Sequence, residues 1–341
     1  MCGIGGFSLS EKSSINARKL SNIMLSELDV RGNQASGFGY QTATKQGLYK
    51  KDVAGSALSL KSMPKDAKNV ILHTRFATHG TIIDMENNHP VQSPDETIDL
   101  VHNGVIFNHD VVRKELSYKL PEVDTSVIPA ILQKFDSNTD KFNMLDGDAS
   151  VAWLDKKKIG VMQVARIAHS PLFIAQVKDG SFLFASTAKI LQSTIDKMHL
   201  KIDFFQEVQE RKLYSIKAGR IITVSDLPEM DPKYEDKSFK NYGSYRNMTS
   251  GGHGNSKATG MPIKSLWGDV IIPESWYDYD EESEGGYPDV VGLSANQYGE
   301  YFDKNGVFMG DYNDMVDWGI IDPSAPEIQE ENFYFEEYKI S

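Results

Sequence analysis

Charge is distributed unevenly along this chain, and that limits how much of it can build one core. Residues 226–341 hold 24 Asp and Glu against 8 Lys and Arg, a net of −16, while residues 1–225 hold 24 acids and 28 bases, a net of +4. Eleven of the 15 tyrosines and three of the four tryptophans also lie after Ser225. A segment so dense in like charge repels itself on compaction, so the two parts face different folding problems. The shift predicts a folded domain over 1–225, a flexible linker over 226–260 and an acidic, Tyr- and Trp-rich extension over 261–341, partly disordered. Asn241–Gly260, rich in Gly, Ser and Asn, is the most linker-like stretch. The acidic extension argues against direct nucleic-acid binding, because phosphate would be repelled.

One cysteine in the whole chain, Cys2, excludes an intramolecular disulfide framework and any multi-cysteine zinc site. No run of 18 apolar residues predicts a membrane span. The opening MCGIGGFSLSEKSS has neither a basic segment nor a long apolar one, so it does not read as a secretory signal. A cytoplasmic protein with no membrane contact is expected.

Within 1–225, strands and helices alternate. Cys2–Leu9 reads as an apolar, glycine-rich strand. Ser14–Asp29 follows as an amphipathic helix with Ala17, Leu20, Ile23, Met24 and Leu28 on one face and Ser13 or Ser14 as its cap. Paired strands are expected at Gly37–Ala43 and Leu48–Ala54, and short apolar runs ending in polar residues at Asn69–Phe76 and Thr97–His102. A short helix is expected at Val111–Leu116, and Asp124 is placed to cap another that buries Val127, Ile128, Ile131, Leu132 and Phe135. Six further strands lie between Ala149 and Val224, interrupted by a helix from Thr187 to about Ile195. This is layered packing of sheets and helices.

Loss of Met1 would leave Cys2 with a thiol and a free α-amine on one residue. A thiol of pKa about 8.5 beside an amine of about 7.7–8.0 is a nucleophile with its own base. Arg75 offers a fork of donors suited to a carboxylate, and Asp124 a carboxylate suited to an ammonium. Each residue also has a plainer role: Cys2 an incidental surface thiol, Arg75 a surface ion-pair partner, Asp124 a helix cap, Asn103-Gly104 a hairpin turn. His73, His79, His89, His102 and His109 show no helical metal-binding spacing, so neither a metal nor a cofactor is expected.

Taken together, these motifs resemble the class II glutamine amidotransferases, whose domain belongs to the N-terminal-nucleophile hydrolases. The matching segments are Cys2-Gly3-Ile4, Arg31-Gly32 with Gly37, His73-Thr74-Arg75-Phe76-Ala77-Thr78-His79-Gly80 and Asn88-His89-Pro90. His102-Asn103-Gly104 with Asn108-His109, Glu122-Val123-Asp124-Thr125, and Phe184-Ala185-Ser186 with Lys189-Ile190-Leu191 complete them, all in family order over about residues 2–195. The resemblance implies an α+β fold of four layers, αββα, and hydrolysis of glutamine to glutamate and ammonia. It makes Cys2 the nucleophile, and Asn103 (side chain) and Gly104 (backbone N–H) the oxyanion donors. Arg75, Thr78, His79 and Asp124 are implied as glutamine-binding residues. Two positions depart from the family pattern: Gln34 stands where an aspartate is common, and Phe76 where a tryptophan is common.

Such domains pass ammonia to an acceptor site. Ser250-Gly251-Gly252-His253-Gly254-Asn255-Ser256 echoes a pyrophosphate loop but lacks its aspartate and a preceding apolar strand. No phosphoribosyltransferase acidic pair is visible, and the 116 residues after Ser225 are too few for a sugar isomerase domain. The expectation is therefore a partner protein that accepts the ammonia, with the acidic extension as its docking element. The competing reading is a catalytically weak or inactive member of the fold that acts as a binding or structural module through that extension.

Overall fold

The alternation of side chains along the strands sorts apolar residues into three stacked cores. The computed structural model describes residues 2–76 and 81–234, together with the backbone of five short strands further on. The chain runs through β1 (Gly3–Ser8), α1 (Ala17–Leu28), β2 (Ala35–Gln41), β3 (Gln46–Lys51), β4 (Asn69–Arg75), β5 (Val91–Gln92) and β6 (Ile98–Ile106). It continues through α2 (His109–Leu116), α3 (Val127–Lys134), β7 (Gly147–Asp155), β8 (Val161–Ala168), β9 (Phe173–Val177) and β10 (Phe182–Ala185). Then come α4 (Ala188–Lys197), β11 (Ile202–Glu207), β12 (Lys212–Lys217) and β13 (Arg220–Asp226).

One sheet has the order β11-β9-β10-β1-β4-β2-β3 and the other β13-β12-β8-β7-β6-β5, and their pairings are antiparallel. Helices α1 and α4 cover the first sheet, burying Phe7, Leu20, Met24, Leu28 and Leu72. Between the sheets lie Ile4, Ile71, Val101, Leu154, Val164 and Phe184. Helix α3, with α2 beside it, covers the second sheet over Leu100, Ile106, Ile128, Ile131 and Trp153. This is the expected four-layer αββα arrangement. Strand β1 shows the sorting in miniature: Ile4 points between the sheets and Phe7 under the helices.

Local differences have local causes. Helix α1 starts at Ala17, capped by Asn16, whose side chain accepts from the Lys19 N–H at 3.0 Å. Ser13 is drawn away by a 2.6 Å bond to Asp179. Strand β11 has no counterpart in the sequence reading, because its polar and apolar residues alternate only briefly after the helix. The folded body also continues past Ser225. Leu227 and Tyr234 enter the third core, and Tyr234 donates to Glu115 at 2.9 Å. The charge shift marks where acids begin to accumulate, and the core runs on beneath it. Two compact units divide the chain, Met1–Tyr277 and Asp278–Ser341. The first also holds a hairpin of Pro262–Ser265 and Gly268–Ile271, and the second an antiparallel set of Leu293–Ala295, Glu300–Asp303 and Phe308–Asp311. Asn241–Gly260, Trp267, Trp276 and Trp318 lie outside the described residues. Among the described residues no helix is long and apolar enough to cross a membrane.

Candidate active site

Strand β1 lies between β10 and β4, and its register fixes where the chain begins. Gly3 is opposite Thr74 on β4, so Cys2 falls opposite Arg75. The register cannot slip easily. A Cβ on Gly6 would lie 2.2 Å from the Val70 carbonyl oxygen, and the Ile4 N–H donates to Ser186 Oγ at 2.8 Å. Cys2 is half-buried, and its Sγ–H donates to the Phe76 carbonyl at 3.4 Å. Burial pushes the thiol pKa up; the charge of Asp124 pushes the same way and Arg75 opposes it. At rest the sulfur therefore keeps its proton and needs a base.

Arg75 closes β4 and is 2% exposed. Its Nη1 donates to Asn88 Oδ1 at 2.6 Å and to the Thr81 carbonyl at 3.3 Å. Burial lowers its pKa, and the charges of Cys2 and Asp124 counter that. Asn88 is held in turn by Ile82, whose carbonyl accepts from Nδ2 at 2.8 Å. Lys50 Nζ donates to the carbonyls of Asn88 (2.7 Å) and Pro90 (3.0 Å), and burial pushes its pKa down to about 8. No sequence signal marks Lys50, since a lysine in an alternating strand reads as solvated. Asn88 was marked only as part of a motif.

Asn103 and Gly104 do not form a turn. They lie inside β6, paired with Ser150 and Ala149 of β7. Strand β5 covers β6 only at Asp99 and Leu100, so beyond that point β6 has an open edge. Groups from outside the sheet occupy that edge. His73 Nε2 donates to the His102 carbonyl at 3.2 Å, and the Ile106 N–H donates to Asp124 Oδ2 at 2.8 Å. Strand parity puts the Gly104 amide on the same edge, between them. Gly104 has φ +138°, and a Cβ there would sit 1.8 Å from the Asp148 carbonyl oxygen, so only glycine fits. The Asn103 side chain is 1% exposed, and its Nδ2 has no hydrogen-bond partner among the described residues. Such an orphaned donor costs about 1–3 kcal/mol.

Asp124 is 3% exposed and does not cap the helix after it. The residue before α3 is Ser126, and the Asp124 carboxylate is spent on the Ile106 amide instead. Thr78 and His79 lie outside the described residues. The Gln34 N–H donates to the Arg75 carbonyl at 3.1 Å, which seats the Arg31–Gln34 segment against the end of β4. The fold thus gathers Cys2, Arg75, Asn103, Gly104 and Asp124 at one end of the two sheets. Among the described residues no cluster of His, Cys, Asp or Glu suited to a metal occurs.

Two antiparallel sheets between helical layers, with a cysteine heading an inner strand, place the chain among proteins of the amidotransferase N-terminal-nucleophile fold. The solved glutamine phosphoribosylpyrophosphate amidotransferase from B. subtilis superposes with a TM-score of 0.54 at 20% identity, over 66% of this chain and 49% of that one. A family model described as a glutamine amidotransferase domain matches residues 73–193. The isomerizing glutamine–fructose-6-phosphate aminotransferase of Helicobacter pylori is 30% identical over 72% of this chain, and that of Clostridium acetobutylicum 32% identical over 59%. This chain carries a class II glutamine amidotransferase domain. It spans only 41% and 34% of the length of those two relatives.

Proposed function

We propose that the protein hydrolyses glutamine through Cys2 and delivers ammonia to an acceptor site on another protein. The observation that carries this is the orphaned Asn103 Nδ2, beside the open-edge amide of Gly104, at the end of the fold where Cys2 stands opposite Arg75. A buried donor without a partner among the described residues, next to a backbone amide on an open strand edge and at the end of the fold that holds the thiol, suits a developing oxyanion.

On this reading, removal of Met1 frees the Cys2 amine, which takes the thiol proton. The substrate carboxylate binds Arg75 and its ammonium binds Asp124. The thiolate attacks the side-chain amide carbon, and the oxyanion forms against Asn103 and Gly104. Collapse expels ammonia, which takes back the proton held by the amine, and leaves a γ-glutamyl thioester. Water then attacks with the amine as base, and glutamate departs as the thiol re-forms. The acidic extension serves as the docking element for the acceptor protein.

Purified protein incubated with glutamine should release glutamate and ammonia, and its intact mass should show Cys2 as the first residue. No glutamate release from a protein that begins at Cys2 would count against the proposal, as would undiminished release from Cys2→Ala.

A further inference from the structure

Four buried groups around the pocket form a closed circuit. His73 Nε2 lies 3.2 Å from the His102 carbonyl. His102 Nδ1 lies 2.8 Å from Thr125 Oγ1, and that oxygen lies 3.0 Å from His89 Nε2. The His89 ring stacks on His73 with centroids 3.8 Å apart and planes 8° from parallel. All four residues are buried.

The partners fix the protons. A carbonyl only accepts, so His73 carries its proton on Nε2. His102 Nε2 lies 3.3 Å from the Asp148 carbonyl, which assigns its proton to Nε2 as well. In the neutral ring, His102 Nδ1 must then accept, and only the Thr125 hydroxyl can donate to it. That spends the one proton of Thr125, so its oxygen accepts from His89 Nε2–H. The Nδ1 atoms of His73 and His89 are left bare, and both are buried with no partner among the described residues. The charges facing these rings are Arg75 and Lys50, which act against protonation of His73 and His89, and Asp124 and Asp148, which favour it at His102. Burial is the largest influence on all three rings and holds each one's pKa below the ordinary histidine value.

Every member of the circuit adjoins a candidate site group. His73 is two residues before Arg75, on the same face of β4. His89 follows Asn88, which holds Arg75. His102 precedes Asn103, and Thr125 follows Asp124. We propose that Thr125 is a positioning residue: its hydroxyl closes a circuit of three histidines that sets the strand carrying Asn103 relative to the segments carrying Asp124 and Arg75. The proposal rests on the reading of Asn103 and Asp124 as the glutamine site.

The test uses full-length protein with Cys2 as first residue, and glutamine as substrate. Thr125→Val keeps the shape and removes the hydroxyl, and should lower kcat by about 10- to 100-fold, the scale of a misplaced catalytic group, with KM changed far less. Thr125→Ser restores the hydroxyl and should return kcat to within about threefold of the parent. Side-chain ¹⁵N NMR of the parent protein should show His73, His89 and His102 as neutral Nε2–H tautomers. Parent-like kcat in Thr125→Val, a Thr125→Ser as damaged as Thr125→Val, or an Nδ1–H tautomer at any of the three histidines would overturn the proposal. Should Thr125→Val fail to fold, the serine variant and the spectrum still decide it. A parent protein that releases no glutamate defeats the reading of the site, and the spectrum then reports on the circuit independently.

Discussion

The space between the two sheets ends in two polar clusters, and they are built on opposite terms. At one end, where β2 finishes and β4 begins, Gln41 Nε2 donates to Gln46 and to the Asp155 carbonyl, while its Oε1 accepts from Asn69 and from the Gly160 amide. Gln46 and Gln92 each donate to one oxygen of buried Asp99. The amide groups of Gln41, Gln46 and Gln92 all have partners there. At the other end, where β4 finishes and β1 begins, Asn103 Nδ2 and two imidazole nitrogens are buried without partners among the described residues. A satisfied network ties the sheets together, whereas an unsatisfied one gives up stability and leaves donors facing a site for something that is not protein. The first end is a seam, and the second is the end proposed to bind glutamine.

That contrast makes the two ends separable by mutation. Cys2→Ala should abolish glutamate release and labelling by a diazo-ketone analogue of glutamine without lowering the unfolding midpoint. Asn103→Ala should lower kcat by about 10²–10³-fold, the cost of losing one oxyanion donor, again without loss of stability because it removes an orphaned group. If Asn103→Ala kept its kcat, the pocket end would lose its catalytic meaning. Arg75→Ala and Asp124→Ala should weaken kcat/KM by about 10- to 150-fold, mostly through KM, since they meet fixed charges of the substrate. The seam should respond in the reverse sense. Gln41→Leu orphans Asn69 Nδ2, the Gly160 amide and the Gln46 oxygen, and should cost about 3 kcal/mol or more in a urea melt while kcat stays within about twofold.

A further effect is expected in acid. His73, His89 and His102 have folded-state pKa values below the ordinary 6.5, so as pH falls below about 6.5 the unfolded chain binds protons that the native chain refuses. Native stability should therefore fall with acid, by up to about 1.4 kcal/mol per pH unit for each histidine. Asp99 at the seam is shifted the other way by burial, upward from 3.8, so its contribution declines as pH rises through the region above that value. Urea midpoints between pH 7.5 and 5.5 should show the histidine slope, steeper than one proton. A flat profile would mean the rings protonate freely in the native state.

Much of the pocket was legible in the sequence because its chemistry needs rare residue types in a fixed order. Cys2 is the only cysteine, and Arg75, Asn103 and Asp124 each follow a recognisable run. The plainer roles failed on context that the sequence does not carry. Asn103-Gly104 looks like a turn until β7 is found beside it, and Asp124 looks like a cap until the Ile106 amide takes its carboxylate. The circuit through Thr125 was not legible at all. Its bonds join residues 23 to 36 positions apart, and each histidine alone is an ordinary buried ring. The charge shift shows where acids accumulate and carries no signal for the packing of Leu227 and Tyr234, which extend the third core past Ser225.

The hold on the start of β1 lies in its pairing with β4 and β10, the Ser186 bond, the close approach at Gly6 and a 3.0 Å bond from Arg31 Nε to the Cys2 carbonyl, and none of these contacts uses the Cys2 nitrogen. A chain that retained its initiating methionine would therefore assemble the same sandwich and the same cleft, with an amide nitrogen where the proposed base should be. On the proposed reading, loss of that methionine asks nothing of the fold. If the proposed mechanism holds, exposing the Cys2 amine would switch a finished but latent scaffold into a working one, and the moment of activation could be set independently of when the protein folds.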